Sequence, residues 1–118
     1  MRFAVNYENV GFTSEEFDPD EPIASPDEIK AVSDLIFETS NLRLLDITAS
    51  IDDSVYKNGR DDYGDIKIFV STIIEVEADN EDEALDFQPP EKVFRIINEK
   101  FLGNLDMEDD WEANGISY

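Results

Sequence analysis

Apolar and polar residues alternate most regularly from Asp65 to Ala78, where Ile66, Ile68, Val70, Thr72, Ile74 and Val76 place a β-branched side chain at every second position. That period and composition predict a strand. A second alternating segment, 44–57, precedes it, and Asn58-Gly59 lies between the two. This pair suits a two-residue hairpin turn because both turn positions need positive φ. With Asn58 and Gly59 as the loop, Leu45 faces Thr72, Ile47 faces Val70, Ala49 faces Ile68 and Ile51 faces Ile66, so both strands share one apolar face. The other face carries Asp46, Thr48, Ser50, Lys67, Ser71, Glu75 and Glu77. A slip by one residue sets apolar against polar rows, so pattern and turn agree. The same register opposes Asp52 to Asp65, an unfavourable pair that a bulge near Gly64 or a deliberate crowding of negative charge explains.

The flanking segments supply the other elements. Residues 2–7 alternate as a first strand with Phe3, Val5 and Tyr7 on one face, and 8–24 read as a long irregular acidic segment pinned by Phe12, Phe17 and Ile23. Ser25-Pro26-Asp27-Glu28 predicts a helix start with Ser25 as N-cap, Pro26 in the first turn and Glu28 closing a capping box. This helix covers 26–39, buries Ile29, Val32, Leu35 and Ile36, and turns Asp34 and Glu38 to water. Asp79 or Asn80 is placed to cap a short helical turn. Pro89-Pro90 opens a second helix, about 90–102, with Val93, Phe94, Ile97 and Phe101 on its apolar face and Gly103 as its stop. Trp111, Ile116 and Tyr118 suggest that the last segment packs on the body or adds a final edge strand. The expectation is a single acidic α+β domain, 1–118: a small antiparallel sheet built on the central hairpin (about 44–57 and 60–78), with the two helices on one face.

Composition narrows the chemistry. The chain has no cysteine and no histidine, which removes disulfides, thiolate sites and the usual general base. No apolar run approaches a membrane span and the first residues lack a signal peptide's apolar region, so the sequence reads as soluble and cytoplasmic. Charge changes the picture most: 30 acidic against 9 basic residues give a net charge of −21. Solubility requires a magnitude of only about 2 to 8. A compact chain of this length is roughly 35 Å across, and B-DNA of that length presents roughly 20 phosphates. A field of this sign and size attracts basic partners and repels nucleic acid and anionic membrane.

The acids bunch in four places: Glu15, Glu16, Asp18, Asp20 and Glu21; Asp61, Asp62 and Asp65; Asp79, Glu81, Asp82 and Glu83; and Asp106, Glu108, Asp109 and Asp110. Single charge runs are ordinarily solvated faces. Four of them loaded onto loops and helix starts suit a surface that imitates a phosphate backbone. In size and charge the whole chain resembles the DNA-mimic proteins of phages and bacteria, small acidic inhibitors of nucleic-acid-binding proteins. That group has no defining motif from which a residue role could be transferred. The resemblance implies a non-enzymatic protein that binds and inhibits or modulates a basic DNA- or RNA-binding protein, such as a histone-like HU protein, a repressor, or a restriction or CRISPR nuclease. It implies no cofactor and no direct contact with nucleic acid.

Other chemistries fit less well. Arg60-Asp61-Asp62-Tyr63-Gly64-Asp65 has carboxylates and a glycine without the ligand spacing of a calcium loop. Asp46 with Asp65-Ile66-Lys67 superficially resembles the acid pair and lysine of restriction-type nucleases, but the expected register separates them and the net charge repels the substrate. A halophile's general acidity is at odds with bunched acids and a rich isoleucine and phenylalanine content. Trp111 among acids is either core or an interface anchor. The competing function is an acidic immunity or adaptor protein that neutralises one basic partner through local contacts.

Overall fold

A computed structural model describes residues 1–15, 17–18, 20–51 and 66–117. In chain order the elements are β1 (Arg2–Thr13), α1 (Pro26–Ser40), β2 (Arg43–Ile51), β3 (Ile66–Glu77), α2 (Glu81–Asp86), α3 (Glu91–Phe101), β4 (Asp106–Met107) and β5 (Glu112–Ser117). The five strands form one antiparallel sheet in the order β2-β3-β1, with β4 and β5 both pairing along the far side of β1. The architecture is α+β, a small antiparallel sheet with its helices packed on one face.

The centre of that sheet is the β1–β3 pair. Every residue from Arg2 to Thr13 has a partner on β3, from Arg2 opposite Glu77 to Thr13 opposite Ile66. The inward row is Val5, Tyr7, Asn9, Gly11 and Thr13 on β1 and the even-numbered residues Ile66 to Val76 on β3, all buried. Against it pack Val32 and Ile36 of α1, Val93, Phe94 and Ile97 of α3, and Leu102 and Trp111. Tyr7 is fully buried, meets Phe94 edge to face at 5.9 Å, and donates its hydroxyl to the Phe87 carbonyl at 2.8 Å. Its backbone carbonyl accepts from the buried Thr72 hydroxyl.

β1 is twice as long as its alternating stretch suggests: 8–13 continue the strand where an irregular segment was expected. The inward positions there are Asn9 and Gly11, a polar residue and a weak strand former, so the apolar row stops while the ladder does not. A Cβ at Gly11 would meet the Met107 sulfur of the paired β4, so that side chain would have to move aside.

The β2–β3 pairing is present, with β3 interior and β2 at the sheet edge. Its register differs from the expected one by two residues: Ile47 faces Thr72, Ala49 faces Val70 and Ile51 faces Ile68. A shift of two preserves which face each side chain occupies, so the apolar pattern is equally satisfied by either register. The Asn58-Gly59 turn and the Asp52–Asp65 pair lie outside the described residues. Between Leu44 and Asp46 a bulge reverses the pleat, burying Leu44 and exposing Leu45. The freed Leu44 amide donates to the buried Ser33 hydroxyl of α1 at 3.0 Å, and this also corrects the helix stripe. Val32, Ser33 and Ile36 are buried while Leu35 lies at the rim.

Helix ends follow local chemistry. Ser25 and Glu28 form the reciprocal capping box, and Asn41 closes α1 at φ 60°. Asn80 caps α2 by accepting from the Glu83 amide at 2.9 Å.

Two predictions follow from this core. Gly11→Val should destabilise the fold by about 1–3 kcal/mol through overpacking, and Met107→Ala in the same chain should recover part of the loss, as read from denaturant midpoints. Burial pushes the Tyr7 phenol up from its usual 10.0 to about 12. The unfolded chain therefore releases this proton first, and stability present below pH 10 is lost as pH rises toward 12, by up to about 2 kcal/mol. Tyr7→Phe should be less stable at neutral pH by about 1 kcal/mol for the lost hydrogen bond, yet show a flatter decline over that window.

Candidate functional site

Sheet topology gathers some of the acidic clusters and separates others. β4 pairs with the end of β1, with Phe12 opposite Asp106, so Glu15 and Asp106 line one shallow depression. Residues 79–83 instead follow β3 at the opposite end, where the Met1 amino group and carbonyl bond the Ala78 backbone. A strand of 12 residues separates these ends by roughly 35–40 Å, within a molecule 45 Å long. Glu15, Asp18, Asp20, Glu21, Asp79, Glu81, Asp82, Glu83, Asp106, Glu108, Asp109 and Asp110 are all exposed. Glu16, Asp61, Asp62 and Asp65 lie outside the described residues.

The best-built cluster is the acidic loop 108–110, between β4 and β5. The Glu108 amide donates to the Val10 carbonyl at 2.9 Å, and the Glu108 carbonyl accepts from Asn9 Nδ2 at 2.8 Å. Asn9 Oδ1 in turn accepts from the Val10 amide at 2.7 Å. Only 5% of Asn9 is exposed, and this buried amide ties the loop to β1 through its Nδ2 while its Oδ1 is taken up by the backbone of its own strand. On the other side, Trp111 stacks on Phe94 with ring centroids 4.8 Å apart and planes 5° from parallel. Trp111 is therefore a core anchor from which the carboxylates hang.

Two grooves flank this loop. Toward α3 lies a cleft of about 800 Å³ that includes Glu91, Arg95, Asn98 and Asp109 in its lining. Arg95 pairs with Glu91 at 3.6 Å across one helical turn, and the side-chain Oδ1 of Asn98 is buried without a hydrogen-bond partner. Toward the sheet face opposite the helices lies a second groove of about 310 Å³, with Val10 and Phe69 on its floor and Glu8, Glu108, Asp110 and Glu112 around it. Val10 faces Phe69 across β1–β3, and Glu8 faces Glu112 across β1–β5.

Asn9, Glu8 and Glu112 were absent from the sequence-derived set. Glu8 and Glu112 carry no sign of their pairing because the second half of β1 reads as irregular in the sequence and the expected final edge strand has no assigned partner there. The nuclease arrangement is not formed by the described residues: Asp46 faces Ile73 and Lys67 faces Phe12. Among the described residues no group of three or more carboxylates is placed to hold a metal ion, and no helix is long and apolar enough to cross a membrane.

Asn9→Ala should leave the Glu108 carbonyl short of its donor and cost about 1–2 kcal/mol. Hydrogen exchange of amides 108–111 should accelerate more than exchange in the β1–β3 ladder. Equal acceleration in both would make Asn9 a general core residue and not the clamp of this loop.

No family model matches the chain, and no curated protein matches it. Among solved structures it is similar to part of the full extracellular region of zebrafish Gpr126/Adgrg6, at 13% identity and a TM-score of 0.43. The match covers 97% of this chain and 13% of that one, so the chain spans about an eighth of the length of the structure it resembles.

Proposed function

We propose that this chain is a non-enzymatic, cytoplasmic DNA mimic that binds a basic nucleic-acid-binding protein and inhibits or modulates it through carboxylates. The supporting observation is the excess of exposed acid on an ordered scaffold. With one cation assigned to each of nine carboxylates, twenty-one remain without a cation of their own. The described clusters project from turns and helix starts at both ends of a 45 Å body, a length along which a DNA duplex carries roughly 26 phosphates. A groove built to neutralise phosphates with lysine and arginine can do the same with these carboxylates, and release of ions on contact makes association fast and salt-dependent.

A second reading, an acidic immunity or adaptor protein with one local interface, is favoured by the unequal anchoring of the clusters. Loop 108–110 is clamped by Asn9 on one side and by the Trp111–Phe94 stack on the other.

Competition separates the two. A basic DNA-binding protein captured from host lysate at low salt should be displaced by added duplex DNA, and its affinity should fall roughly tenfold or more between 50 and 200 mM salt. Charge reversals at Asp20, Asp82 and Asp109 should each weaken binding modestly and by similar factors. Failure of DNA to displace the partner, with one reversal dominating, would establish the local interface instead.

A further inference from the structure

The geometry points to the small groove on the sheet face opposite the helices as a seat for an arginine side chain of the basic partner. This inference rests on the proposed function and names the contact it would use.

The helices cover one side of the sheet. The other side presents Val10, Phe69 and Ile73 among polar residues, and Phe69 is 39% exposed. At one border of this face the acidic loop leaves the gap between β4 and β5, forming the groove with Val10 and Phe69 below and four carboxylates around. A guanidinium suits such a site on two counts. It is planar and weakly hydrated, so it lies against an aromatic face, and its forked donors engage carboxylates in pairs. The Phe69 ring already receives a cation in the free protein: Lys67 Nζ lies 5.5 Å from its centroid.

The strand pairing adds an independent reason. Glu8 and Glu112 oppose each other directly on adjacent strands, an arrangement that disfavours folding unless a cation stands between them. Glu8 is held in place there, since its Oε1 accepts from Asn6 Nδ2 and from the Ser71 hydroxyl, each at 3.4 Å. Two like charges set opposite each other on paired strands, beside an apolar floor, fit a partner's cation that carries an apolar stem. A second copy of this chain brings another −21 and fits poorly.

The test is titration of the isotope-labelled protein at low salt with capped hexa-arginine and with capped hexa-lysine, read by amide chemical shifts. Shifts should concentrate at Glu8, Val10, Phe69 and Glu112. Hexa-arginine should bind more tightly than hexa-lysine, and Phe69→Ser, which keeps the net charge, should weaken hexa-arginine binding roughly fivefold. Glu8→Gln retains the acceptor oxygen and should weaken binding while raising the denaturation midpoint, a pair of effects that a structural role for Glu8 does not produce. Equal binding of both peptides, with shifts spread over every acidic cluster and no effect of Phe69→Ser, would overturn the groove while leaving the electrostatic reading standing. Absence of binding by either peptide, and by any basic DNA-binding protein, would remove both. Sedimentation as a dimer that Phe69→Ser dissociates would overturn the proposal by making a second copy the occupant.

Discussion

The β1–β3 ladder is the interaction on which the rest of the structure depends. It pairs residues up to 75 positions apart in the chain, from Arg2 with Glu77 inward, and its buried row is the floor on which both longer helices rest. Tyr7 shows how much converges there: its ring meets Phe94, its hydroxyl reaches Phe87 and its carbonyl holds Thr72. Because the pairing is non-local, the chain meets a large loop-closure cost before the ladder forms. The self-repulsion of −21 charges acts in the same direction. A β-branched and aromatic core opposes both, while the described carboxylate clusters sit in turns, helix starts and the sheet margin, where water screens them.

Where the sequence was legible, one physical rule acted alone. Ser25, Pro26 and Glu28 marked a helix start because capping is a matter of four consecutive residues, and the strict alternation of 66–76 marked a strand because each residue type agreed with its face. Legibility failed where two requirements met at one position. Asn9 and Gly11 lie on the inward face of β1, yet one clamps a loop and the other admits Met107, so neither carries the apolar signal of its row. Leu44 and Leu45 are adjacent and equally apolar, and only the bulge decides which is buried. The two-residue shift between β2 and β3 was invisible for a related reason: hydrophobic alternation constrains register by parity, and both registers have the same parity.

The candidate site was legible in amount and not in arrangement. Counting acids gave the sign and strength of the field and the exposed clusters, but residues 79–83 and 106–110 differ in how they are held. The first group caps a short helix, with Asn80 and Glu83 engaged by backbone amides. The second is tied to the central ladder by a buried asparagine and to the core by a stacked tryptophan. No local pattern announces that difference, since Asn9 is 99 residues from the backbone it holds.

The contrast between those clusters bears on how an acidic surface acquires preference for one partner. Charges on loosely held side chains attract any cation and lose much of that attraction to salt, because their geometry adapts to whatever approaches. Where a fixed ladder sets two carboxylates opposite each other, as with Glu8 and Glu112, a cation of fitting shape between them would relieve their repulsion. An apolar floor beside them tightens the requirement, since a compact hydrated ammonium gains less from Phe69 than a flat guanidinium does. Under the proposed function, diffuse charge would govern the rate and range of encounter, and the small groove would govern which encounter is retained.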